Sequence, residues 1–352
     1  MLVKNDNEFS NIFPTTLGVK QGGKLSPKLF SIYVNDLIEE IENEEPCLKI
    51  SDKEKIDGIV YADYIVLIST TKKGLQEQIV ITERYGYEKE TSYNPSKTTF
   101  MVFNGKMSRN AKEQREDLWQ EDLVLNGSNI TQVQSMKYLG ANISDDDKNT
   151  VHIARRKKAA YGAFAKVKIL GITSETIHPN MKGQLYKIYI RPVLLYGKEN
   201  FNLNKAEKLA IKRIEGNIVK NMLGLSKKCK STELFSALNI ESSYTKLNVL
   251  KCELLTRLKT NYFTNLVLDY LESIQVTDSF VDEIDKISQT EDNVTTFLDR
   301  VEFCKLYKYK TKLQTKSGVG DNQKLNQIRD IFNHKNREMI PQLLSPILRY
   351  SV

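Results

Sequence analysis

A chain of 352 residues, 40% hydrophobic and 27% charged, can bury the cores of two or three domains and is not a disordered polymer. No apolar run approaches the roughly 20 residues that cross a bilayer, and residues 1–10 lack the pattern of a secretory leader, so an intracellular protein, nuclear or cytoplasmic, with no membrane partner is expected. The formal net charge is +8, and the four cysteines (Cys47, Cys229, Cys252, Cys304) form no CxxC pair and no cluster with the three histidines, which argues against a zinc site or a disulfide framework.

The first readable structure is GVKQGGKLSPKLFSIYVNDL, residues 18–37. Gly18, Gly22 and Gly23 permit a tight loop and close approach of a ligand to the backbone. Ser26 suits an N-cap and Pro27 the first helical position. Leu29, Phe30, Tyr33, Val34, Leu37, Ile38 and Ile41 then recur at helical spacing. In DGIVYADYIVLIST (57–70) two apolar runs flank Ala62-Asp63, which predicts a β-hairpin with Asp63 near its tip. TKKGLQEQIVITERYGYEKE (71–90) reads as a helix. NPSKTTFMVFNG (94–105) reads as a turn and then a strand. Asn126-Gly127 marks a hairpin turn, and VQSMKYLGANIS (133–144) reads as a strand pair ending at an acidic turn.

From Asp145 onward the texture is helical. DDDK (145–148) is either a metal cluster or an acidic helix cap favoured by the helix dipole; the cap is the expectation. Arg155, Lys158 and Lys166 share one face of the following helix, with Ile153, Ala160, Phe164 and Val167 opposite. Residues 205–223 repeat the plan, with Lys205, Lys208 and Lys212 on one side and Ile211, Ile214, Ile218 and Met222 on another. Gly224 suits the C-cap. QTKSGVGDNQ (314–323) reads as a flexible loop. Lys and Arg outnumber Asp and Glu by 18 to 4 over residues 150–230, against 18 to 24 over 1–149 and 16 to 16 over 231–352. Charge concentrated in this way is either a solvated basic face or a phosphate-facing surface, and nucleic acid is the expected partner.

In this order, the stretches resemble reverse transcriptases, and among them those of non-LTR (LINE-type) retrotransposons. GVKQGGKLSPKLF is similar to the family's Gly-Val-x-Gln-Gly-x-x-Leu-Ser-Pro loop and helix. YADY (61–64) stands where the family carries Tyr-Ala-Asp-Asp. NPSKTTFMVF resembles the Asn-x-x-Lys-Thr palm segment, and MKYLGANIS resembles the Tyr-Leu-Gly primer grip. IYIRPVLLYG (188–197) is similar to a segment that follows the polymerase domain in LINE-type elements. The resemblance implies an α+β fold: a partial right-hand polymerase palm (a helix plus antiparallel β-hairpins) over residues 1–144, then an all-helical remainder. That remainder is a basic thumb-like region over 145–230 and a helical C-terminal region of unassigned role over 231–352. It also implies nucleotide binding by Gln21, Gly22, Gly23 and Lys97, and a primer grip at Tyr138, Leu139 and Gly140. Arg155, Arg156, Lys157, Lys158 and Lys166 would track an RNA template paired with a DNA primer. No oligomeric state follows.

Polymerisation in this family is an in-line attack of a primer 3′-hydroxyl on a nucleotide α-phosphate, with Mg2+ held by hard oxygen ligands. The resemblance implies one Asp from an upstream palm strand and two from the hairpin. Asp63 remains as a weak, residual metal ligand, and Tyr64 replaces the second catalytic Asp. A phenol, which ionises near ~10, supplies no negative charge at neutral pH. Residues 1–20 precede the Gln21 loop and no family motif surrounds Asp6, so the upstream Asp and the fingers are expected to be missing. The expectation is a retrotransposon reverse transcriptase fragment, catalytically defective alone. Two alternatives stay open: a non-enzymatic RNA/DNA-binding protein that keeps the basic thumb, and an active reverse transcriptase whose upstream part is supplied separately.

Overall fold

The computed structural model describes residues 4–6, 8–12, 23–42, 48–50, 54–103, 122–146, 148–274, 279–290, 300–317 and 323–348. Helices and small sheets mix, as an α+β chain requires. The chain divides into two compact units, Met1–Val133 and Gln134–Val352.

In the first unit, β1 (Lys4–Asn5) pairs with β2 (Glu8–Phe9), and α1 runs over Ser26–Glu42. β3 (Leu48–Lys49) pairs with β4 (Lys55–Ile56), and β5 (Gly58–Tyr61) pairs with β6 (Tyr64–Leu67). α2 spans Lys72–Glu88. The short strands β7 (Thr99–Phe100), β8 (Val124–Leu125), β9 (Ser128–Asn129) and β10 (Thr131–Gln132) follow. The pairings are antiparallel except β7–β10, which is parallel.

α2 is the wall shared by two small cores. Thr71 starts it by accepting the Gly74 N–H at 3.1 Å. On one side Ile81 and Tyr85 pack with Val34, Leu37 and Ile41 of α1 and with Val60, Ile65 and Leu67 of the β5–β6 hairpin. On the other, Ile79 packs with Phe100, Leu123, Leu125 and Ile130. Each such aliphatic side chain contributes about 1.5–3 kcal/mol by leaving water. Gln76 stands in for a strand: its amide donates to the Val124 carbonyl and accepts from the Val124 N–H, both at 2.9 Å. Gln78 donates to the Ile68 carbonyl at 3.0 Å, which ties the end of the hairpin to the helix.

The second unit opens with one hairpin, β11 (Ser135–Tyr138) and β12 (Ala141–Ser144). Helices α3 (Thr150–Ile169), α4 (Pro179–Leu185), α5 (Arg191–Leu195), α6 (Lys205–Met222), α7 (Thr232–Ala237) and α8 (Ser243–Thr260) follow. After them come α9 (Tyr262–Ser273), α10 (Ser279–Thr290), α11 (Arg300–Ser317), α12 (Gln323–Phe332) and α13 (Ile340–Leu348). One core joins α3 to α7 with α12 and α13, and a second joins α8 to α11. α13 is anchored by the Lys230 N–H, which donates to the Leu348 carbonyl at 2.7 Å. Between α4 and α5 the backbone forms a π-helical turn, Tyr186–Ile190, in which the Arg191 N–H reaches the Tyr186 carbonyl. Pro192 explains the widening: it has no N–H, and its ring crowds the carbonyl four residues back.

Among the described residues of the run 145–148, none caps the next helix, a correction to the sequence reading. α3 begins at Thr150, with Asn149 at the N-cap position. Asp146 instead closes its own turn, accepting from Ser144 Oγ (2.7 Å), the Lys148 N–H (3.0 Å) and Lys148 Nζ (2.6 Å). The Lys148 and Ser144 hydrogen bonds hold its carboxyl down at about 2. Asp147, Cys47 and half of the expected 314–323 loop (318–322) lie outside the described residues, while residues 314–317 correct that expectation by continuing α11. No described helix is long and apolar enough to cross a membrane.

Candidate functional site

Two hairpin tips carry the residues singled out by the sequence, one in each unit. In the first, Tyr61 pairs with Tyr64, so Ala62 and Asp63 alone make the turn. Ala62 is held at φ +50, the left-handed region, where a Cβ costs about 1–2 kcal/mol. Val60, Ile65 and Leu67 face the α1–α2 core, while Tyr61 and Tyr64 are 62% and 48% exposed and Asp63 is exposed between them. The tip therefore offers a single carboxylate flanked by two phenols. Among the described residues no group of three His, Cys, Asp or Glu converges on one point. Mg2+ takes hard oxygen ligands, commonly one or two carboxylates with waters and phosphates, and of this turn's side chains Asp63 alone supplies a carboxylate.

Gln21 and Gly22 lie outside the described residues, and Gly23 leads into α1, its carbonyl accepting the Ser26 N–H at 3.3 Å. Lys97 ends the 3-10 turn Pro95–Lys97, which Asn94 caps by accepting the Ser96 N–H at 3.0 Å; its side chain is exposed.

At the second tip, Tyr138 pairs with Ala141, leaving Leu139 (φ +44) and Gly140 (φ +83) as the turn. The residues beneath this turn come from α3 and from the segment after α5. Tyr196 donates to the Leu139 carbonyl at 2.7 Å, and Arg156 donates to the Gly140 carbonyl at 2.6 Å. The Arg156 guanidinium lies over the Tyr196 ring, 4.8 Å from its centre. Arg155 donates to Asn142 Oδ1 at 3.0 Å. His152 Nδ1 accepts the Asn142 N–H at 3.2 Å, while Nε2 donates to the Tyr196 carbonyl at 3.0 Å. These bonds need a neutral ring, and burial followed by the Lys198 charge brings His152 down to about 4. Lys198 is buried and makes no hydrogen bond among the described residues. Burial, and then the neighbouring Arg156, lower it to about 8.

The five cations expected on one nucleic-acid face thus divide. Arg155 and Arg156 are half-buried and bonded to the hairpin, whereas Lys157, Lys158 and Lys166 are exposed, as is Lys168. The sequence reading missed His152, Tyr196 and Lys198. Tyr196 lies inside the conspicuous IYIRPVLLYG segment, but nothing in that string names its partner 57 residues earlier.

Residues 1–143 match the family described as reverse transcriptase (RNA-dependent DNA polymerase). Over that part the chain is similar to reverse transcriptases, and it is related in sequence to polymerases of retrotransposable elements. It is 23% identical over 188 residues to the retrovirus-related Pol polyprotein from type-1 retrotransposable element R2 of Popillia japonica, covering 52% of this chain and 28% of that protein. It is 24% identical over 207 residues to the RNA-directed DNA polymerase from mobile element jockey of Drosophila melanogaster, covering 57% of this chain and 21% of that protein. The chain thus spans between a fifth and a third of the length of the curated relatives it matches.

Proposed function

We propose that this chain binds an RNA template paired with a DNA primer and does not polymerise by itself. In this reading α1, β5–β6 and α2 form part of a palm, and α3 to α6 form the thumb. The supporting observation is the two-sidedness of α3. Ile153, Ala160, Phe164 and Val167 are seated in the core, and Lys157, Lys158, Lys166 and Lys168 are exposed with no ion pair among the described residues. A face of unpaired lysines on a rigid helix suits a phosphate backbone. The absence of polymerisation is supported by the first tip, where Tyr64 stands at the second carboxylate position and leaves Asp63 as the turn's one carboxylate.

The test is anisotropy of the full chain with a labelled RNA–DNA duplex over a salt series. Replacing Lys157, Lys158 and Lys166 with Gln should flatten the slope of log affinity against log salt by about 2–3 units, since each phosphate contact contributes about 0.9. An unchanged slope would reject this face. In parallel, primer extension by the Tyr64→Asp chain should stay at background. Synthesis by that variant would show that Tyr64 alone blocks catalysis.

A further inference from the structure

The geometry points to Tyr196 and Arg156 as positioning residues that set the Leu139–Gly140 turn against the primer end. The inference rests on the primer-grip reading of that turn. Tyr196 and Arg156 take both carbonyls of the turn, one each, at 2.7 and 2.6 Å. With the Leu139 oxygen drawn down into the protein, the trans peptide sets the Gly140 N–H on the opposite side, and Lys137, next to the turn, is exposed. A backbone amide of a tight turn together with a nearby lysine suits an anion such as a phosphodiester. The ground beneath is positive, since Arg155, Arg156 and Lys198 gather there.

Three features hold the arrangement in one state. Gly140 is at φ +83, where a side chain is strained, and a Cβ there would press on Tyr196 Cε1 at 3.1 Å, so glycine favours the seating of ring against turn. The Tyr196 carbonyl is fixed by His152, which also holds the next strand through the Asn142 N–H. Gly197, at φ +73, turns the chain away directly after Tyr196. The YLG and IYIRPVLLYG strings, separate in sequence, thereby form one device. Arg156 works from below the turn and Lys157 and Lys158 from the exposed face of the same helix.

The experiment uses the full chain and a primer–template duplex whose primer ends in 4-thiothymidine, with photo-cross-linked peptides mapped. In the wild type the primer end should cross-link within residues 138–141. Tyr196→Phe keeps the ring beneath Arg156 and loses only the bond to the Leu139 carbonyl. Its end-directed cross-link should fall about five-fold, the span of one net hydrogen bond, while the thermal midpoint falls by no more than about 2–4 °C. Arg156→Lys keeps the charge but not the planar fork, and should fall likewise. Wild-type cross-linking at the turn that persists undiminished in both variants would overturn the positioning role and leave the primer-grip reading standing. Wild-type cross-linking elsewhere would overturn that reading and the inference with it.

Discussion

Lys198 and Arg191 are two buried cations with opposite fortunes. Arg191 is met at every side: Glu215 at 2.9 Å, Glu241 at 3.3 Å, and the Glu241 carbonyl at 2.9 Å. Glu215 in turn accepts the Tyr186 hydroxyl, and burial together with that carboxylate pushes the Tyr186 phenol well up. Among the described residues Lys198 has no such partner, and its amine falls from 10.5 to about 8. A base whose folded pKa is depressed binds its proton less well in the native state than in the unfolded chain. Its penalty is full below pH 8, shrinks as pH rises, and vanishes above 10.5. Lys198→Met should therefore stabilise the second unit by about 3 kcal/mol at pH 7, read by urea denaturation, because each pKa unit is worth about 1.4 kcal/mol. The gain should narrow between pH 8 and 10.5. A variant no more stable than wild type at pH 7 would show that the amine finds a partner in solution.

At the scale of elements, legibility followed the range of the interactions that decide each one. α2 could be read because its apolar spacing and Thr71 cap are local. The β5–β6 hairpin and the Asn126-Gly127 turn could be read for the same reason, the latter confirmed by φ of +48 and +69. The cap of α3 was misread because Asp146 is drawn to Ser144 and Lys148, which sit closer than the helix start. The parallel β7–β10 pair and the union of Tyr196 with Leu139 depend on distant partners, and no local pattern announces them. Gly86 is a further case. On α2 it looks like a weak helix residue, yet a Cβ there would stand 2.6 Å from the Thr91 carbonyl and 2.8 Å from the Tyr93 ring. Helix propensity alone makes Gly86→Ala favourable by up to ~1 kcal/mol, but the crowding should reverse the sign. A net loss of about 1–3 kcal/mol in the first unit, measured by denaturation, is expected. A more stable variant would mean that the segment after α2 yields easily.

On the scale of the whole molecule, the two units close at different points along the chain. Among the described residues, the small cores of the first unit draw on positions from Phe30 to Ile130. The core that seats α3, by contrast, includes Ile340, Leu344 and Leu348, and Lys230 is tied to the last turn of α13. During synthesis from the N-terminus the first unit has all its core residues early, in keeping with domains folding as they emerge. The lysine-bearing helix emerges well before α13 and must wait for it before its apolar side is covered. Until then the nascent chain carries a basic, half-covered helix with a large apolar face. Translation of α13, more than translation of the lysine-bearing helix itself, sets the moment at which this face becomes a rigid platform.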